Sequence, residues 1–351
     1  MNLFINGFNI FLIVIVSFIM TLLLTPIARW TAMKIGAMDK PNKRKVQDVP
    51  IASMGGLAIF LTFLICYMIF APVTTQIVSI MIGAFIIILT GVVDDISPLR
   101  AREKLVGELL SALVVTVYGG VAIEHIQLFG NIISFGILSY PLTILFIVAI
   151  MNAIDLADGL DGLAAGTTTI YFVTTAIIGY IMSDLSGLNV ILCLILAGSC
   201  LGFLMYNFAP ASIYMGDTGS LFLGYMISVI ALVGFKTTTI TSLIIPIIML
   251  FVPILDTLLA MERRLLKGQS VGDADREHLH HQLLKKTKSV TKTVLIMYVI
   301  NGLFSVVSIM YALGHKRISI ILYAILLLLF LVLVLTTDVL FEHKKKDKNE
   351  N

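Results

Sequence analysis

The stretch Asn9–Ala28, NIFLIVIVSFIMTLLLTPIA, runs for twenty residues without a charged side chain, and Arg29 follows it directly. As an α-helix, a run of that length reaches about 30 Å, the thickness of a bilayer's hydrocarbon core. It shows no apolar/polar alternation and is too long for a barrel strand. Ten more such runs follow: Ser53–Phe70, Gln76–Val93, Lys104–Val121, Ser139–Leu156, Gly162–Met182, Gly187–Phe208, Gly219–Gly234, Ile240–Ala260, Thr293–Leu313 and Ile318–Leu340.

The chain's composition agrees with this reading. Of 351 residues, 58% are hydrophobic and 13% charged, against about 45–50% and about 25% in a soluble chain. The mean hydropathy is +1.02. The sequence therefore predicts an all-α polytopic membrane protein with about eleven transmembrane helices. Residues 1–343 are expected to form one integral domain, and residues 344–351 a basic polar tail. The first run lacks a basic lead-in and a small-residue cleavage site, so it is expected to be a retained helix rather than a signal peptide. Cys66, Cys193 and Cys200 all fall inside apolar runs and are expected to be core residues, not disulfides or metal ligands.

Charge sets the expected orientation. With the N-terminus outside, 21 of the 24 Lys and Arg residues fall in cytoplasmic loops and the tail, leaving only Lys236, Lys316 and Arg317 outside. Cytoplasmic loops carry this excess in membrane proteins, so the C-terminus is expected in the cytoplasm. The bias suits anionic lipid and anionic substrates and gives no reason to invoke nucleic acid.

The chemistry-bearing residues gather at the predicted cytoplasmic ends of helices. Asp94 and Asp95 close the third run in GVVDDISPL. Asp155, Asp158 and Asp161 end the fifth in NAIDLADGLDGLAAG. Asp217 lies in YMGDTGS, and Asp256 in PILDT. Carboxylates near hydrocarbon are costly, and clustered ones repel unless a cation joins them. An oxygen-only cluster suits Mg²⁺. The Gly-Asp-Thr-Gly-Ser stretch before a new helix is expected to offer free N–H groups to a phosphate. His278, His280 and His281 in DREHLHHQL, with Arg263 and Arg264 nearby, read as anion donors rather than a zinc site. One face thus offers acids for a metal and donors for phosphate beside a membrane, which fits phosphoryl transfer from a soluble donor to a lipid.

Several motifs, DDxxxL (Asp94–Leu99), NAxxLxDGLDGLAAG (Asn152–Gly166), NFxPAxxYMGDTGSLFLG (Asn207–Gly224) and DREHLHHQL (Asp275–Leu283), resemble those of the polyprenyl-phosphate N-acetylhexosamine-1-phosphate transferases. The likeness is to the branch of WecA and TagO, with MraY more distant. The resemblance covers nearly the whole chain, with the motifs in order. It implies a bacterial plasma-membrane enzyme joining UDP-GlcNAc to undecaprenyl phosphate, with membrane lipid around it. The products would be undecaprenyl-diphosphate-GlcNAc and UMP, the first step of wall teichoic acid or a related surface polymer. It further implies Mg²⁺, with Mn²⁺ as a substitute, held by Asp217. Asp94 and Asp95 match the aspartate pair of the lipid-phosphate or metal environment, and His280 and His281 match diphosphate-binding histidines, with His278 beside them. Lys104, Asn152, Asp155, Asp158, Asp161, Asn207, Tyr214 and Arg264 match substrate-binding or site-shaping positions, Tyr214 as an aromatic that stacks on uracil. Asp155 stands where many relatives have Asn, and Gln47 where they often have His. Some relatives dimerise, so a homodimer is an alternative to a monomer.

Competing readings are a phospho-MurNAc-pentapeptide transferase and, from a different class, a transporter. Acids confined to one face and the lack of an inverted repeat disfavour the transporter. The orientation has a direct test. Arg102→Cys should react with an impermeant maleimide only in permeabilised cells, and Lys316→Cys in intact cells; the reverse pattern would invert the topology.

Overall fold

The computed structural model describes residues 4–5, 7–39, 49–71, 74–128, 131–182, 187–234, 248–249, 251–266 and 278–336. Gln47 and the rest of the 40–48 loop, residues 240–247 of the ninth predicted run, Asp275 and the 344–351 tail lie outside the described residues. Twelve helices are labelled here. They are α1 (Ile10–Ile35), α2 (Gly56–Phe70), α3 (Thr75–Ile96), α4 (Ala101–Leu113), α5 (Ser139–Ala157), α6 (Leu163–Met182), α7 (Gly187–Asn207), α8 (Gly216–Gly234), α9 (Phe251–Leu266), α10 (Leu279–Thr287), α11 (Val290–Ala312) and α12 (Lys316–Thr336).

Local signals account for the helix ends. The side chain of Asn9 accepts the Phe11 N–H at 2.9 Å, and that of Thr74 accepts Ile77 N–H at 3.3 Å. Both are side-chain N-caps. Gly36 closes α1 with φ of 83°, a left-handed position that glycine adopts without a Cβ penalty.

Among the described residues, eight helices are long and apolar enough to cross a membrane: α1, α3, α5 with its lead-in, α6, α7, α8, α11 and α12. The multi-pass reading therefore stands, while the count of eleven goes beyond these eight. Helix α2 has only 15 residues. Helix α4 has 13, carries Arg102, Glu103, Lys104 and Glu108, and gives way to a π-helical turn at Val114–Tyr118. Much of the run before α9 is not described.

The all-α expectation needs one amendment, because short strands join the helices. Antiparallel pairs are formed by β1 (Phe4–Ile5) with β2 (Phe8–Asn9) ahead of α1, and by β5 (His125–Leu128) with β6 (Asn131–Ser134) between α4 and α5. More consequential is a three-stranded sheet of β3 (Met38–Asp39), β4 (Ile51–Ser53) and β7 (Ile213–Tyr214). Strand β4 runs parallel to β7, with Ser53 opposite Tyr214. The Gly55 and Gly56 N–H groups extend the seam by donating to Tyr214 O and Met215 O, each at 2.9 Å. Strands this short carry no periodicity, so the sequence could not announce them.

Helix α8 is the centre of the bundle. Its apolar window is 83% buried, against 22% for α1 and α12. It packs on α2, α3 and α5, while α1, α6 and α7 form a second layer. Exposed Phe11, Ile15, Leu23 and Ile27 on α1 form an outward apolar surface, suited to lipid rather than water. Two glycines let the helices close around the start of α8. A Cβ on Gly56 would strike the Gly219 backbone, and one on Gly91 would strike Thr218. On Gly302 of α11 it would meet nothing within 4 Å. Gly91→Ala is therefore expected to cost about 1–3 kcal/mol of stability through overpacking. Gly302→Ala should stay within about 0.5 kcal/mol. Thermal unfolding of the two variants in one detergent compares them directly.

Candidate functional site

Where α3, α5 and α8 end or begin beside the three-stranded sheet, they enclose a cleft of about 1040 Å³. Six of the predicted carboxylates line it: Asp94, Asp95, Asp155, Asp158, Asp161 and Asp217. Asn207, Tyr214 and His281 join them. Val49, Ile51, Ile96 and Pro98 supply an apolar part of the wall.

The two aspartates at the end of α3 do different things. Asp94 accepts the Leu99 N–H at 2.6 Å and so shapes the turn into α4. Asp95 takes four donors: Ser53 Oγ at 3.0 Å, Asp217 N–H and Thr218 N–H at 3.1 Å each, and Thr218 Oγ1 at 2.6 Å. Its carboxylate thus caps α8 from another helix. It also fills the place expected for a substrate phosphate, because the N–H groups of Asp217 and Thr218 are already spent on it. Gly216, at φ 69°, allows this approach; a Cβ there would collide with the Asp95 carboxylate.

A second polar ladder joins three helices. Lys104 on α4 pairs with Asp155 on α5 at 2.7 Å and with Asp217 on α8. Asp155 also accepts Ser220 Oγ at 2.5 Å. One turn beyond Lys104, the buried Glu108 accepts Asn152 Nδ2 at 2.5 Å, and that amide also donates to Val148 O at 2.9 Å. Asn152 therefore points to Glu108 rather than lining the cleft. Glu108 escaped the sequence reading, although a carboxylate four residues from Lys104 inside an apolar run was the available signal.

The remaining wall is built from loops. Asn207 accepts the Gly162 N–H at 3.1 Å and donates to Ile213 O at 3.0 Å. Asp161 accepts the Ala211 N–H at 2.9 Å. Tyr298 of α11 donates to Gly162 O at 2.5 Å. The loop between α5 and α6 is thus tied to the α7–β7 segment and to α11. Asp158, at the end of α5, is pushed well above the usual carboxylate range by burial and then by Asp155, Asp217, Asp95 and Asp161. The Tyr214 phenol is pushed up to about 12, by burial first and by Asp161 and Asp158 after it.

The histidine turn sits at the edge of the cleft. His281 lines it, whereas His278 and His280 are buried behind. His281 is pushed down to about 4 by burial and by His280 and His278, so it is neutral near pH 7. Arg264 is buried on α9 and does not appear among the lining residues. Asp256, expected with the other acids, instead faces His278 at 3.1 Å.

Crowded carboxylates with one shared ammonium call for further positive charge. The clustered carboxylates are hard oxygen donors, which fits Mg²⁺. Among the described residues no three His, Cys, Asp or Glu side chains form a metal cage. Mg²⁺ commonly takes one or two carboxylates and completes its shell from phosphate and water, so the arrangement is compatible with it.

The chain is similar to known lipid-phosphate transferases. Residues 77–235 match the glycosyl transferase family 4 description. The chain is 41% identical to the probable undecaprenyl-phosphate N-acetylglucosaminyl 1-phosphate transferase of Bacillus subtilis, over 94% of this chain and 93% of that one. It is 32% identical to the decaprenyl-phosphate N-acetylglucosaminephosphotransferase of Mycobacterium leprae, over 81% and 79%. It is also 32% identical to the phospho-N-acetylmuramoyl-pentapeptide-transferase of Chlorobium chlorochromatii, over 77% and 82%.

The four-donor cap makes a prediction. Asp95→Ala leaves buried donors unpaired and should lower stability by at least about 2 kcal/mol. Asp94→Ala removes one local turn bond and should cost about 1 kcal/mol or less. Thermal unfolding in detergent ranks the two.

Proposed function

The chain belongs to the polyprenyl-phosphate N-acetylhexosamine-1-phosphate transferases, and from that premise we propose that it moves N-acetylglucosamine 1-phosphate from UDP-GlcNAc to undecaprenyl phosphate. The reaction would take place at the cytoplasmic face of the plasma membrane. The observation that carries this reading is the cleft itself. Six carboxylates and a bridging lysine meet at the ends of membrane-crossing helices, with a histidine turn at one edge and apolar wall beside them. Relatives matched over 94% and 81% of the chain are named for N-acetylglucosaminyl 1-phosphate transfer and N-acetylglucosamine phosphotransfer.

In this reading an oxygen of the acceptor phosphate attacks the phosphorus that carries the sugar. The bond from that phosphorus to UMP breaks, and UMP leaves with the electron pair. The acceptor phosphate is already ionised near neutral pH, so the site needs no strong base; it needs positioning and charge neutralisation. Lys104 supplies positive charge between Asp155 and Asp217. Asp217, with neighbouring carboxylates of the cleft, would hold Mg²⁺, which when bound neutralises charge on the diphosphate. Mn²⁺ would be the expected substitute. Tyr214 presents a neutral aromatic ring for the uracil, and His281 a neutral imidazole for hydrogen bonding to diphosphate oxygens. Wall teichoic acid or a related surface polymer would consume the lipid product.

The alternative donor is UDP-MurNAc-pentapeptide, favoured by the muramoyl-pentapeptide relatives. Purified protein with Mg²⁺ and undecaprenyl phosphate should release UMP from UDP-GlcNAc and not from UDP-MurNAc-pentapeptide. EDTA should abolish release and added Mg²⁺ restore it. Asp217→Ala, folded normally, should lose about a hundredfold or more of the rate. Release from the pentapeptide donor alone would select the other reading, and full activity in Asp217→Ala would remove that residue from the metal site.

A further inference from the structure

Asp256 is the predicted carboxylate that stands apart from the cleft. It lies on α9 and is 8% exposed. Its Oδ1 accepts the Leu279 N–H at 2.8 Å. Its Oδ2 lies 3.1 Å from His278 Nδ1 and 3.7 Å from His280 Nδ1. Leu279 opens α10, and the preceding His278 makes no side-chain cap of its own. The cap therefore comes from a different helix.

The imidazoles are arranged around that carboxylate. The His278 and His280 rings are nearly parallel, at 9° and 5.5 Å between centroids. Their δ nitrogens turn toward Asp256, so their ε nitrogens turn away. His280 Nε2 is buried with no hydrogen-bond partner among the described residues. It abuts Gly159, where a Cβ would collide with it. Gly159 and His281 both line the cleft. A continuous line of contact thus runs from Asp256 through the stacked imidazoles to the turn carrying Asp158 and Asp161.

We infer that Asp256 is a positioning residue for the histidine turn: it clamps the start of α10, draws the His278 proton to Nδ1, and seats His280 against Gly159 so that His281 faces the cleft. A carboxylate only accepts, so it admits the Nδ1–H tautomer of His278. An asparagine could keep the Leu279 bond through its carbonyl oxygen. Its N–H₂ would then meet a donor nitrogen, and His278 would have to change tautomer or turn away. A partner behind the functional side chain commonly governs its orientation in this way. The inference rests on the transferase reading, in which this turn serves the donor's diphosphate.

The test uses the full-length protein in detergent, comparing Asp256→Asn and Asp256→Ala with the native chain. Asp256→Asn should raise the donor KM about tenfold while leaving the acceptor KM within about twofold, with the thermal transition retained. Asp256→Ala should be worse in the same direction; if it does not fold, the Asn variant decides. A second measurement is independent of turnover. Diethyl pyrocarbonate should modify His278 and His280 about fivefold faster in Asp256→Asn, while the exposed His315 keeps its native rate. Unchanged donor KM and unchanged histidine reactivity would overturn the proposal. So would equal losses for donor and acceptor together with a lost thermal transition, which would make Asp256 a general structural residue. If the native protein turns over no UDP-GlcNAc, the transferase reading fails, and the histidine reactivity still decides the role of Asp256.

Discussion

The partly buried carboxylate of Asp95 is the constraint on which the site depends. It sits at the end of one helix and takes donors from Ser53 and from the first residues of α8. A negative charge there meets the positive end of the α8 dipole as well as its unpaired N–H groups. Release that carboxylate and three things lose their common reference: the β4 edge, the end of α3 and the backbone that carries Asp217. Gly56 and Gly91 make the same demand sterically, since both leave room for the first turn of α8. Electrostatics and close packing thus fix the same point in the bundle.

Around that point, charges pair across helices rather than along them. Lys104 ties α4 to α5 and α8, and Glu108 ties α4 to α5 again through Asn152. Burying such groups is expensive unless they are matched, so the polar ladder restricts how α4 can lie against its neighbours. Asp256 applies the same device on the other side, with a carboxylate from one helix capping the start of another. The site therefore contains two classes of aspartate. Some face the cleft, and others hold backbone that the first class needs.

That distinction was not legible in the sequence, although much else was. Eight of the apolar runs announced membrane-length helices, because a membrane leaves little other use for so long an uncharged stretch. Six aspartates at predicted helix ends do meet in one cleft, because side chains at the same end of antiparallel helices share a plane. What the sequence could not tell was which way each carboxyl turns. The GDTGS stretch looked like an open phosphate cradle, yet its N–H groups face Asp95. Asp256 looked like a seventh member of the cluster, yet it faces the histidines. Glu108 hid inside a run whose hydrophobicity drew attention away from its one acid. Orientation of this kind depends on tertiary neighbours, which spacing alone does not carry.

The parallel pairing of β4 with β7 has a consequence for biogenesis. Ser53 finds Tyr214 about 160 residues further along the chain, a contact of very high sequence separation whose closure entropy must be met by later packing. Helices α1 to α7 are synthesised before the strand that closes the floor of the cleft exists. A nascent chain stopped before β7 can insert most of its helices and still lack the complete chamber. Completion of the chamber is therefore a late event, coupled to delivery of α8 into the middle of helices that already surround its place.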